Sequence, residues 1–103
     1  MKRVIRGKIY NTATAELLHD WSNGYPYSDF AYCRKSLYKT KNGAYFIAGC
    51  GGAKSEYAEC YGNSVSGGEG IEIIQKDDAV AWLEDHKGEE ALEKYFASEL
   101  EEG

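Results

Sequence analysis

A chain of 103 residues with 43% hydrophobic and 28% charged side chains and one proline has the composition of a single folded domain and leaves no room for a second. A globule of this size has little interior to spare, which excludes a large buried cofactor, and no run approaches the ~20 apolar residues of a membrane span. The net charge of −5 is unevenly laid down: residues 1–54 hold nine Lys/Arg against three Asp/Glu, and residues 55–103 hold three against fourteen, so the halves either face each other or meet a charged partner.

Residues 1–11 lack the apolar run of a secretory signal, and a cytosolic location is expected. Val4-Ile5 and Lys8-Ile9-Tyr10 flank Arg6-Gly7, which reads as a tight hairpin turn. After Asn11-Thr12, either of which can cap a helix, Thr14, Leu17, Leu18 and Trp21 recur at helical spacing and predict a helix over about 12–22. It stops at Ser22-Asn23-Gly24, just before Pro26. Residues 30–39 and 44–48 flank Asn42-Gly43, a strong hairpin signal. Seven glycines fall between residues 49 and 70, interrupted by 53–60, which could hold a short helix. Residues 71–75 alternate as another strand. Asp77 or Asp78 can cap a helix carrying Ala79, Trp82, Leu83 and His86, with Gly88 as its stop. A last helix from Glu89 places Leu92, Tyr95, Phe96 and Leu100 on one side. The expected fold is α+β: a small, mainly antiparallel sheet of two hairpins and one further strand, one helix after the first hairpin and two C-terminal helices.

The chemistry-bearing residues exclude more than they suggest. Cys33, Cys50 and Cys60 are odd in number and form no C-x-x-C pair, so neither a disulfide framework nor a zinc site is written here. His19 and His86 fall near predicted helix ends. Gly49-Cys50-Gly51-Gly52-Ala53-Lys54-Ser55 imitates a phosphate loop, but Ala48 and Ala53 stand where that motif requires glycine. No nucleophile has a base beside it in sequence, and the paired acids sit at predicted helix starts, where capping explains them. No catalytic set, metal or cofactor is expected. Nine tyrosines, eight of them within the first 61 residues, suit either half-buried strands or a binding face. Basic residues beside tyrosines can hold single-stranded nucleic acid, but the overall acidity disfavours that reading.

Four stretches carry a resemblance to known proteins. They are Gly7-Lys8-Ile9-Tyr10-Asn11-Thr12-Ala13-Thr14-Ala15; Leu37-Tyr38-Lys39-Thr40 with Gly43-Ala44-Tyr45-Phe46; Gly51-Gly52-Ala53-Lys54-Ser55-Glu56-Tyr57-Ala58; and Ile73-Ile74 with Asp78-Ala79 and Trp82-Leu83. Together they resemble a group of small proteins carried by phages, plasmids and integrated elements of Gram-positive bacteria, a resemblance that extends to anti-CRISPR proteins or domains. The chain departs from the group at Cys50 and Cys60, where polar or acidic residues are usual. The resemblance brings no catalytic motif. It implies a non-enzymatic inhibitor in the cytoplasm of a bacterial host, binding a Cas effector and blocking its nucleic-acid path. The alternative is a mobile-element accessory or regulatory module with another protein partner. In the inhibitor reading, Tyr25, Tyr27 and Tyr57 are candidate anchors, and Glu84, Asp85, Glu89, Glu90 and Glu93 form an acidic face that competes with phosphates for a basic channel. The basic, tyrosine-rich half is the other candidate face, and the oligomeric state is open.

Overall fold

A computed structural model describes residues 1–62 and 64–99. Strands β1 (Lys2–Ile5) and β2 (Lys8–Asn11) form a two-stranded antiparallel hairpin. A four-stranded antiparallel sheet follows, in the order β3-β4-β5-β8, from β3 (Glu16–Ser22), β4 (Cys33–Lys39), β5 (Tyr45–Gly51) and β8 (Gly68–Ile74). A small hairpin of β6 (Glu59–Tyr61) and β7 (Ser64–Ser66) precedes β8. Helices α1 (Lys76–Asp85) and α2 (Glu89–Tyr95) end the fold with one 3-10 turn over Ala97–Glu99. The α+β class and the two C-terminal helices agree with the sequence reading. The sheet arrangement does not: the strands fall into three sheets, and the first hairpin lies outside the main one. Leu100, expected on the apolar side of α2, lies outside the described residues.

The central sheet is covered on both faces, which explains why β5 is nearly all apolar. Ile47 and Leu37 face α1 and α2 in a core with Leu18, Ala79, Leu83 and Phe96. Phe46 and Ala48 alternate to the opposite face, where they pack with Tyr10 of the hairpin and with Ile71. Among the described residues no helix is long and apolar enough to cross a membrane.

The helix expected over 12–22 is instead a turn followed by the edge strand β3. Asn11 does cap: its Oδ1 accepts from the Ala13 N–H (2.9 Å) and its carbonyl from the Ala15 N–H (3.0 Å). Only one turn forms before the chain joins β4. The register slips between Leu17 and His19, leaving Leu18 as the extra residue of a β-bulge. Leu17 pairs with Tyr38 on the hairpin face, whereas His19 and Trp21 pair with Leu37 and Lys35 on the helix face. The bulge thus breaks the two-residue alternation and imitates a helical stripe.

Other local readings shift by smaller amounts. The helix considered for 53–60 is a pair of turns, because the Ser55 hydroxyl donates to the Gly52 carbonyl (2.7 Å) and accepts from the Tyr57 N–H (3.2 Å), competing with helical bonding. Gln75, not Asp77 or Asp78, is the N-cap of α1, and Asp78 accepts from the Gln75 N–H (3.2 Å). His86 is the C-cap, and Gly88 is the N-cap of α2. The strand begun at residue 30 in the sequence reading starts at Cys33.

On the hairpin face, Asp20 of the edge strand accepts from Arg34 in a two-point ion pair and from the Ser36 hydroxyl (2.8 Å). The hydrogen bond from Arg34 holds the Asp20 carboxyl below its ordinary 3.8. A lowered folded pKa means that the pair stabilises above about pH 3.8 and that this contribution is lost as pH falls through the folded value. Asp20→Asn should therefore lower Tm at pH 6, and the difference should close in melts run toward pH 2. A constant difference down to pH 2 would show that the carboxylate charge is not what stabilises.

Candidate functional site

Among the described residues, the β3–β4 connection, residues 23–32, is the most exposed aromatic segment. Tyr25, Tyr27 and Phe30 are 52%, 84% and 66% exposed, an unusual use of three large apolar rings within six positions. The segment is not loose. The Asn23 side chain donates to the Ala31 carbonyl (2.7 Å) and accepts from the Cys33 N–H (3.1 Å), tying one end of the loop to the other. Asp29 Oδ1 accepts from the Ala31 N–H (2.7 Å), and the Pro26 carbonyl accepts from the Asp29 N–H (2.9 Å).

A second brace comes from the glycine-rich turn after β5. The Gly52 N–H donates to the Tyr32 carbonyl (2.8 Å) and the Lys54 N–H to the Phe30 carbonyl (2.8 Å). This approach needs glycine: a Cβ on Gly52 would lie 2.5 Å from the Phe30 carbonyl oxygen and 2.7 Å from that of Asp29. The turn that imitates a phosphate loop in sequence thus fixes the backbone of the aromatic loop, with the Ser55 hydroxyl committed to Gly52. Tyr27 also packs edge-on against Tyr32 (5.3 Å between centroids) and lines a cleft of about 420 Å³ with Cys50 and Glu69. Rigid aromatic side chains on a pre-ordered backbone lose little entropy on binding.

The acidic candidates lie together on the helices. Glu84, Asp85, Glu89, Glu90 and Glu93 are all exposed, at the end of α1 and along α2. The basic residues among them are Lys87 and Lys94. The acidic end of α1 is joined to the β3 edge by four interlocked rings. His86 stacks on Trp82 (4.4 Å) and meets Trp21 edge-on (4.8 Å), and His19 meets Trp82 edge-on (5.8 Å). His19 Nε2 donates to the His86 carbonyl (2.9 Å), and His86 Nδ1 donates to that of Trp82 (2.7 Å). His19 therefore sits on an edge strand rather than at a helix end, and both histidines serve packing. Because Trp21 lies two residues before the aromatic loop begins, the acidic helices and the loop adjoin the same edge strand.

Tyr57 has different surroundings from Tyr25 and Tyr27. Its ring lies across the helix face of the sheet in a trough made by Gly49 and Gly70, which are cross-strand partners. Lys35 Nζ stands 6.0 Å from the ring centroid and pairs with Glu56. Burial pushes the Tyr57 phenol well above its ordinary 10.0. The geometry gives Tyr57 a packing role beneath the turn and leaves Tyr25 and Tyr27 as the outward rings.

Phe30 belongs with those two, and the sequence reading missed it by placing residue 30 in a strand. The available signal was Ser28-Asp29, turn-forming residues immediately before it. Cys33 is buried, Cys50 half-buried and Cys60 exposed, and burial raises the Cys33 thiol pKa. Among the described residues no three His, Cys, Asp or Glu side chains meet in an arrangement that could hold a metal ion. No protein-family model, curated protein or solved structure matches the chain.

Proposed function

We infer that the protein is a non-enzymatic inhibitor that docks on a protein partner, with the braced aromatic loop as anchor and the acidic α1–α2 side as steering charge. The observation that carries this reading is the exposure of Tyr25, Tyr27 and Phe30 on a loop whose backbone is hydrogen-bonded at both ends. Anchors of this kind contribute most of the energy of an interface, while exposed charge sets the encounter rate. The resemblance to anti-CRISPR proteins supports a Cas effector as the partner, with a basic nucleic-acid path complementary to Glu84, Asp85, Glu89, Glu90 and Glu93.

The test is target cleavage by a purified Cas effector titrated with this protein, together with binding kinetics. Inhibition should saturate at a fixed molar ratio. Reversing Glu84, Asp85 and Glu89 to lysine should slow association at least tenfold at low salt and less as the salt rises. Tyr27→Ala and Phe30→Ala should instead speed dissociation, each costing about 1–3 kcal/mol. If both classes of variant inhibit as well as the parent, the basic half becomes the binding face. If no effector is inhibited, the partner assignment falls.

A further inference from the structure

Basic side chains from three separate parts of the chain meet around one cleft of about 800 Å³: Arg6 and Lys8 of the β1–β2 hairpin, Lys39 at the end of β4 and Lys76 at the start of α1. Among the described residues no carboxylate lines it, and its apolar lining includes Ile5 and Ile73. In a chain of net charge −5 such a gathering is not the background. The acidic end of α1 at Glu84 lies about 12 Å from Lys76 along the helix, beyond the ~8 Å Debye length at physiological salt. The nearer acids are Asp77, Asp78, which is engaged with the Gln75 N–H, and Glu16, the cross-strand partner of Lys39; none of the three lines the cleft.

The turn adds an independent observation. Arg6 and Gly7 both have positive φ, 52° and 76°, the pairing at which Asn-Gly is strongly preferred. Arginine is strained there, whereas Asn would give a better turn. The residue present sacrifices local stability and places a guanidinium at the cleft. Lys39 Nζ stands 5.7 Å from the Tyr45 ring centroid, and both residues line the cleft.

We propose that this cleft binds the phosphodiester backbone of a single-stranded nucleic acid. Arg6 and Lys8 are solvent-exposed and Lys39 is half-buried, so each contact is weak alone. A single phosphate or a mononucleotide gains too little from them, whereas a strand sums several contacts and releases its condensed counterions. The apolar lining receives sugar and base edges without demanding a sequence. The proposal is independent of the protein partner inferred above.

Fluorescence anisotropy of a labelled single-stranded 12-mer with the full chain tests it. Three phosphate contacts, from Arg6, Lys8 and Lys39, give a slope of log K against log salt of about −2, or roughly 15- to 20-fold weaker binding at 200 mM than at 50 mM salt. Arg6→Asn should keep or raise Tm while weakening binding several-fold, a combination that a purely structural role for Arg6 would not produce. Arg6→Asn with Lys8→Gln should nearly abolish binding, and Lys94→Gln, on α2, should leave it unchanged. Four results would overturn the proposal: no binding at 50 mM salt, parental affinity in the Arg6/Lys8 double variant, ATP binding as tightly as the 12-mer, or displacement by polyglutamate at equal charge.

Discussion

Phe46→Ala will destabilise the protein by about 3–5 kcal/mol, a large share of the ~5–15 kcal/mol that holds a domain of this size together. Phe46 has no exposed surface. Its ring stacks on Tyr38 across the β4–β5 pair (5.2 Å between centroids, 10° between planes) and takes the edge of Tyr10 from the hairpin (5.7 Å, 74°). Removing it leaves a cavity between two layers that touch through few other side chains, so collapse cannot refill the space cheaply. The loss should fall hardest on the β1–β2 hairpin. Its docking rests on Tyr10 and Ile5, whereas the helix-facing core around Leu37 and Leu83 has no part in that contact. Urea denaturation should show the fall in midpoint, and hydrogen exchange should show Tyr10 and Ile9 opening at lower free energy than Leu83. Equal loss of protection in hairpin and helices would mean that the two cores unfold as one unit and that the layers are not separable.

Gly49→Ala will destabilise by about 1–3 kcal/mol, although it adds a single methyl group. A Cβ there would stand 1.9 Å from Tyr57 Oη and 2.2 Å from Cζ, so the ring must leave its trough. Tyr57→Ala empties the same trough and should cost about 2–3 kcal/mol, less than a fully buried aromatic because the ring is only half-buried. The two losses share one cause, and the double variant should therefore be more stable than the sum of the singles predicts, by about 1–3 kcal/mol. Strict additivity would show that Tyr57 can relocate without loss. Tyr57→Phe, by contrast, keeps the ring in place and adds an alkaline signature. The raised folded pKa means that the parent is fully stabilised below pH 10.0, its ordinary value, and loses that contribution as pH rises above it. The phenylalanine variant has no proton to lose and should be flatter in melts between pH 9 and 11.

The sequence by itself determined the elements whose signals are local. Asn42-Gly43 and Arg6-Gly7 specified two hairpin turns, the apolar run over 44–48 specified a central strand covered on at least one face, and Trp82, Leu83, Leu92 and Phe96 specified two helices with buried faces. Each is a backbone or periodicity preference expressed within a few residues. Tertiary structure decided the rest, because the deciding contacts join distant positions. The stripe of Thr14, Leu17, Leu18 and Trp21 is compatible with a helix until pairing with β4 and the bulge at Leu18 claim it for the sheet edge. The glycines at 49 and 52 read in sequence as part of an incomplete phosphate loop; in the fold Tyr57 fills the space above one and the Asp29–Phe30 backbone lies against the other. Tyr25, Tyr27 and Phe30 stay outside because that contact immobilises their loop in an orientation no short segment specifies. The −5 net charge hides a cleft where Arg6, Lys8, Lys39 and Lys76, up to 70 residues apart in sequence, stand together. Composition adds charges over the whole chain, whereas a ligand meets only those that folding brings within a Debye length of one another.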